Sequence, residues 1–401
     1  MKKVFSRLLG RLRRRAARAP ATIWLTSVPA NTPVGATIYL TGSCNGWTTD
    51  DPALAFSFDP ASGGYYLALP PGRGILEYKM CRGSWATIET DAANLAIPNR
   101  RYLFGQDPPE LQLAVLNWED QGGIIPPRQH SASPNVHILS PAFPMPQLRR
   151  TRRVWVYLPP SYGSGTQRYP VLYLQDGQNV FDQYTSFAGE WGVDETLDEL
   201  AAHGQDLSGC IVVAVDNADQ HRLDEYSPWH NPRIRRGGEG EQYVDFLVDT
   251  LKPYIDHHYR TQPERAATYV AGSSMGALLA TYAALRHPAV FGGVGVFSPA
   301  YWFAGSSLLA YVAAHAPRPD TRWYFVCGKL EGPSMVPLMT SLRDALRTAG
   351  VPAANLSFST LADGIHAEWF WRREFAGAYR WLLAGALPDS TGAALATTSR
   401  A

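Results

Sequence analysis

ATYVAGSSMGALLATYAALRHP, Ala267 to Pro288, is the stretch whose reading decides the fold. A short β-prone run enters Gly272-Ser273-Ser274-Met275-Gly276, and a helix-patterned apolar run closed by Pro288 leaves it. The five residues fit G-x-S-x-G with Ser274 at the centre. Alone, the pattern is weak. Between a strand and a helix it becomes a nucleophile elbow, a sharp turn that presents a serine hydroxyl above the carboxyl end of a sheet. Glycines at 272 and 276 remove side chains where such a turn crowds its neighbours. The backbone N–H of Met275, at the helix start, then faces a developing oxyanion. The competing role for Ser274 is a helix N-cap, with the glycines there for packing.

Working outward, VWVYLPP, YPVLYLQDG, CIVVAVDN, VGVFSPAYW, WYFVCG and LSFSTLADG read as strands. GVDETLDELAAHG, YVDFLVDTLKPYID, PLMTSLRDALRTAG and EWFWRREFAGAYRWLLAG read as helices between or after them. Continuous apolar strands alternating with helices predict an α/β fold, a mainly parallel sheet covered on both faces, over residues 135–386.

A serine is a poor nucleophile until a base takes its proton, and in this fold the base follows the serine in the chain. Three histidines do. His287 ends the elbow helix and His315 precedes a proline break, so both read as helix-end residues. His366, in DGIHAEWF, follows the last strand at its carboxyl end and is the expected base. Glu331, in CGKLEGPS, just past the preceding strand, is the favoured acid; Asp363, or no acid at all, is the alternative. The loop Asp176-Gly177-Gln178-Asn179 after VLYLQ is the expected source of a second oxyanion donor, the Gln178 N–H. The loop Arg222 to Trp229, Tyr226 within it, and Trp302 are expected pocket walls. No cofactor is implied: H-E-x-x-H is absent, no paired cysteines form a zinc ribbon, and Gly238-Glu239-Gly240 follows an arginine-rich loop rather than a strand.

Ahead of this region the grammar is different. TIWLTSV, ATIYLTG, GYYLALP, ILEYKMC and ELQLAVLNW are short strands separated by turn clusters, which predicts a small all-β sandwich over residues 21–120. A proline-rich linker follows at 121–134, and residues 387–401 read as a loose tail. Cys210 and Cys327 sit in apolar runs and read as buried. Cys44 and Cys81 can pair only in an oxidising compartment. Residues 1–20 carry Lys2, Lys3, Arg7, Arg11, Arg13, Arg14, Arg15 and Arg18 around apolar positions at helical spacing. Arginines interrupt the apolar region an export signal needs, which favours the cytoplasm, with a secreted or periplasmic location as the alternative. A solvated tail is preferred to a membrane-surface helix, and nothing approaches the ~18 apolar residues of a membrane span. A net charge of +1 gives no overall field toward nucleic acid.

The segments YPVLYLQDGQNVFD, VAVDNADQHRLDEYSPW, YVDFLVDTLKPYIDHHYRT, AGSSMGALLATYAALRHPAVFGGVGVFSPAYWF and GIHAEWFWRREF occur in this order. From about Asn135 to Ala386 the chain therefore resembles the α/β-hydrolase esterase family that includes esterase D, enterochelin esterases and feruloyl or acetyl-xylan esterases. The resemblance implies Ser274 as nucleophile and His366 as base. It supports Glu331 less, because members differ in their acid. Ala277 departs from the second glycine that many relatives carry after the elbow. IYLTGSCNGWTTDDP and LEYKMCRGSWATIET resemble an E-set or starch-binding-type sandwich. There Trp47 and Trp85 are candidate sugar platforms, with Lys79 and Asn99 as hydroxyl partners; the alternative buries both tryptophans in the sandwich core. The expected function is serine carboxylester hydrolysis through an acyl-enzyme, on a small-molecule or glycan ester, either a carbohydrate-linked acyl ester or a siderophore-type ester. A catalytically inactive hydrolase-fold protein serving in glycan binding or scaffolding is the alternative.

Overall fold

The computed structural model describes residues 21–92, 94–121, 130–186, 189–206 and 208–384. The basic segment 1–20, residues 122–129 of the expected linker and the tail 387–401 lie outside the described residues. The chain divides into two compact units, Met1–Pro127 and Arg128–Ala401.

In the first unit the strands are β1 (Thr22–Ser27), β2 (Tyr39–Gly42), β3 (Ser57–Asp59), β4 (Gly64–Ala68), β5 (Ile75–Cys81), β6 (Glu89–Thr90), β7 (Arg100–Leu103), β8 (Glu110–Ala114) and β9 (Asn117–Trp118). They form sheets ordered β3-β4-β1-β8 and β2-β5-β7 and a β6-β9 pair. Ile23, Leu25 and Leu67 from the first sheet share one core with Leu40, Leu76, Tyr78, Met80 and Tyr102 from the second. The sequence reading missed β7, because RRYL puts Arg100 on the same face as the core residue Tyr102, paired with the buried Glu89, and so hides the alternation. Trp47 and Trp85 are half-buried rather than core residues, with ring centroids 6.1 Å apart. Lys79 is a correction: it is 7% exposed and its ammonium donates to the Ile97 carbonyl at 2.6 Å, which ties it to the fold. Asn99 is half-buried. Cys44 and Cys81 are free thiols, and the Cys81 Sγ donates to the Thr49 carbonyl. Cys210 and Cys327 are buried, as their apolar neighbours imply.

The second unit holds β10 (Val136–Met145), β11 (Arg150–Tyr157), β12 (Val171–Gln175), β13 (Ile211–Val215), β14 (Thr268–Ser273), β15 (Gly293–Phe297), β16 (Arg322–Gly328) and β17 (Leu356–Leu361). Its helices are α1 (Val193–Ala202), α2 (Arg222–Glu225), α3 (Gly240–Phe246), α4 (Lys252–His258), α5 (Met275–Arg286), α6 (Gly305–Ala314), α7 (Met335–Thr348) and α8 (Glu368–Leu383). One mixed sheet runs β10-β11-β13-β12-β14-β15-β16-β17, parallel from β13 to β17. Alternate residues feed two cores. Ile211, Val213 and Val215 pack with α3, α4, α5, α6 and α7, whereas Val212 and Ala214 pack with α1 and α8. Strands buried on both faces read as unbroken apolar runs for this reason.

Three expectations are corrected. The strand VGVFSPAYW stops at Phe297, because Ser298 takes φ 46° and Pro299 has no N–H to continue a ladder. YVDFLVDTLKPYID is helical without a break, as expected, but its α period is interrupted between α3 and α4 by a π turn at Leu247–Leu251, where Pro253 removes an i→i−4 bond. The end of the expected linker belongs to the second unit: Ser131 Oγ donates to Glu190, and the Ser133 N–H donates to Asp194 Oδ2 at 2.7 Å. Helix α6 was anticipated only through its end: His315, read as a helix-end residue, is its C-cap.

Burial pushes the Asp194 carboxyl up to about 8 and that of Glu190 to about 7. The folded chain therefore keeps protons that the unfolded chain releases above its ordinary carboxyl range, and stability falls as pH rises toward 8. Asp194→Asn preserves an acceptor for Ser133. It should raise the melting temperature at pH 8 by on the order of 3 °C and flatten its decline between pH 5 and 8, read by scanning calorimetry; an unchanged slope would contradict this.

Candidate active site

The chain passes from β12 to β13 on one side of β12 and returns past it to β14 on the other. The loops leaving β12 and β14 thus run to opposite faces, and a crevice opens at their carboxyl ends, where open α/β sheets bind ligands.

Ser274 follows β14 in that crevice with φ 54° and ψ −119°, and its side chain makes no helix-capping bond. The capping role is therefore not the one its geometry serves. A Cβ on Gly272 would lie 2.6 Å from the Gly276 carbonyl carbon, and one on Gly276 would lie 3.0 Å from the Gln175 Cβ. A side chain at 272 would strike backbone, and one at 276 would press on Gln175, so the turn closes tightest with glycine at both positions. Its backbone is gripped on both sides: the Ser274 N–H donates to the Phe297 carbonyl at 3.0 Å, and the Ala300 N–H donates to the Ser274 carbonyl at 2.9 Å. Ser274 is half-buried, whereas Ser273 is 5% exposed in β14.

Glu331 follows β16 and His366 follows β17. Both strands run parallel to β14, so all three residues stand at one edge of the sheet. The Glu331 side chain is fully buried, and its Oε2 lies 2.8 Å from His366 Nδ1. A carboxylate only accepts, so Nδ1 carries the proton and Nε2 is left as the basic nitrogen. The two loops are fastened to each other. The Lys329 N–H donates to the Leu361 carbonyl and the Leu330 N–H to the Gly364 carbonyl. A Cβ on Gly328 would strike the Gly364 carbonyl carbon at 2.1 Å. Asp363, the alternative acid, is turned outward to Arg373, which holds its carboxyl below the usual range.

The loop after β12 begins with Asp176 at φ 59°. Its carboxylate accepts from Arg222 Nε at 2.6 Å and from Asn217 Nδ2 at 2.7 Å. Gly177 backs onto β13, where a Cβ would meet the Val215 carbonyl carbon at 2.8 Å. Gln178 comes next in this short 3-10 turn, and its Oε1 accepts the Asn217 N–H. Met275 is the first residue of α5, a position whose N–H has no intrahelical acceptor.

Tyr226 is a correction. It is 0% exposed, and its hydroxyl accepts the Asp176 N–H at 3.1 Å, so it supports the loop from beneath rather than lining a pocket. Trp302 is 40% exposed. The reading did not single out Ser298, Trp371 and Asn217, which surround these groups; Arg222, expected in the pocket-wall loop, binds the Asp176 carboxylate. Only the F-S-P break after β15 signalled that a strained turn lay there. Among the described residues, the group spaced to hold a metal ion is Glu190, Asp194 and Glu195, outside this edge.

The fold and this edge define an α/β hydrolase-type protein. A family model described as "Putative esterase" matches residues 146–382, and the chain belongs to that family of carboxylic ester hydrolases. It is 25% identical over 243 residues to the uncharacterised YbbA of Bacillus subtilis, covering 58% of this chain and 92% of YbbA. A stretch of 107 residues is 39% identical to an alpha-amylase of Niallia circulans, covering 26% of this chain and 8% of the amylase. An endo-1,4-beta-xylanase/feruloyl esterase of Xylanibacter ruminicola is 28% identical over 225 residues, covering 54% and 27%. The chain thus spans well under half of the last two relatives. The enterobactin esterase FES of Shigella flexneri shares the fold with TM-score 0.51 at 17% identity, over 88% of this chain and 89% of that one.

Tyr226→Phe leaves the Asp176 N–H without its acceptor. It should cost about 1–3 kcal/mol in urea unfolding and lower ester turnover by loosening the loop that carries Gln178. Full stability and full turnover together would show that the hydroxyl holds nothing.

Proposed function

We propose that this protein is a serine carboxylester hydrolase working through an acyl-enzyme. The observation that carries the reading is the Glu331–His366 pair at the edge where the Ser274 elbow stands. In this scheme His366 Nε2 takes the Ser274 proton as Oγ attacks the ester carbonyl. The Met275 and Gln178 N–H groups stabilise the tetrahedral oxyanion, and His366 then protonates the leaving alcohol. Water, activated by the same imidazole, releases the acid and restores Ser274. Glu331 orients the ring and stabilises its protonated form. Trp302, with 40% of its surface exposed, is read as a pocket wall.

A fluorophosphonate probe should label the wild type and Ser273→Ala but not Ser274→Ala, whose turnover should drop by on the order of 10³-fold or more. Glu331→Gln should slow turnover by about 10²-fold or more. Labelling that follows Ser273 instead would sink the assignment.

For the substrate we propose a carbohydrate-linked acyl ester. The feruloyl esterase and amylase relatives support this, as does the half-buried Trp47–Trp85 pair. The first unit is read as a β-sandwich of carbohydrate-binding type, with those two rings as the sugar platform and Asn99 as a hydroxyl partner. Feruloylated or acetylated xylo-oligosaccharides should be cleaved faster than a catecholate siderophore lactone in a side-by-side panel; the reverse order would replace the substrate class. Affinity electrophoresis in soluble starch or xylan should show retardation that Trp85→Ala abolishes, and equal mobility of both proteins would remove the platform.

A further inference from the structure

We propose that Ser298 and Trp371 are positioning residues for the Glu331–His366 pair. We further propose that the turn carrying Ser298 holds nucleophile and acid in one register. The inference rests on the assignment of Ser274, His366 and Glu331 above.

Glu331 has no exposed side-chain surface, so each carboxylate oxygen must be met by a donor. Its Oε1 accepts the Ser298 hydroxyl at 2.7 Å and also the Gly328 N–H. With that oxygen pinned twice, Oε2 is the one presented to His366 Nδ1. Ser298 is itself 0% exposed, and a hydroxyl has a single proton to give. The Trp371 indole N–H donates to Ser298 Oγ at 2.9 Å and so occupies its acceptor side. The hydroxyl proton is thereby directed at Glu331. Donors run one way along the chain, from Trp371 to Ser298 to Glu331. The Trp371 ring also stands edge-on to the His366 imidazole, with centroids 5.2 Å apart and planes at 88°. One side chain therefore backs the base and orients the acid.

The backbone of the same turn completes the link. Ser298 lies between Phe297, whose carbonyl accepts the Ser274 N–H, and Ala300, whose N–H donates to the Ser274 carbonyl. The Ser298 N–H donates to the Val326 carbonyl of β16, the strand that leads to Glu331. A non-glycine residue at φ 46° is strained. Here the strain lets one residue hold the elbow by its neighbours and the acid by its side chain.

The test is a variant cycle assayed with p-nitrophenyl acetate. Ser298→Ala should lower kcat about tenfold, through misorientation of groups that stay in place, with KM within about twofold because neither residue touches substrate. Trp371→Phe, which keeps a ring against His366 but loses the donor, should lower kcat in the same way, and it carries the test if Ser298→Ala does not fold. In a Glu331→Gln background both losses should disappear, since the group being positioned has been altered. A loss that persists undiminished on top of Glu331→Gln marks general destabilisation and overturns the proposal. So does wild-type kcat in both single variants while Glu331→Gln is impaired, and in that case the assignment of the acid stands. Glu331→Gln at wild-type turnover overturns both together.

Discussion

Burying a carboxylate without a cation beside it obliges the surrounding chain to supply donors, and at the carboxyl edge of this sheet the chain is arranged around that obligation at Glu331. Ser298, Gly328 and His366 each meet one of its oxygens. Those partners come from the ends of β15, β16 and β17, so satisfying one charge draws three strand ends together. The Gly328–Gly364 approach follows from it, because the His366 loop has to lie directly on the Glu331 loop.

The same edge concentrates backbone strain. Asp176, Ser274 and Ser298 are non-glycine residues at φ 59°, 54° and 46°, one at the end of each of the adjacent strands β12, β14 and β15. Each such residue costs of order 1–3 kcal/mol and persists only where its surroundings over-determine it. The surroundings are identifiable. Asp176 is held by Arg222, Asn217 and Tyr226, Ser274 by the carbonyl of Phe297 and the N–H of Ala300, and Ser298 by Glu331 and Trp371. Strands buried on both faces by two cores give these turns a rigid base.

Much of this was legible in the residues. The apolar runs CIVVAV and WYFVC name strands because double burial leaves no room for alternation. G-S-S-M-G was readable as a sharp strand-to-helix turn because a side chain at 272 would strike backbone and one at 276 would crowd Gln175. The place of His366 at the carboxyl edge, just after the last strand, was readable from the order of the elements. Other features were not legible. YVDFLVDTLKPYID has a helical period throughout, and its π turn arises from Pro253 acting on a ladder that periodicity does not represent. Tyr226 looked like a pocket wall because it lies in a loop following a strand. Its burial depends on packing against Tyr243 and on the Asp176 N–H, both distant in sequence.

Alternation of strands and helices, the order Ser274, Glu331, His366, and the glycines of the elbow follow from the sequence by itself, because period and steric allowance are local properties. Which carboxylate faces the imidazole was decided by tertiary structure. Asp363 is three residues from His366 and yet turns to Arg373 in solvent, whereas Glu331, 35 residues away, reaches the ring. Proximity along the chain does not set side-chain direction. Parallel pairing of β16 with β17, and the donors that a buried charge requires, do.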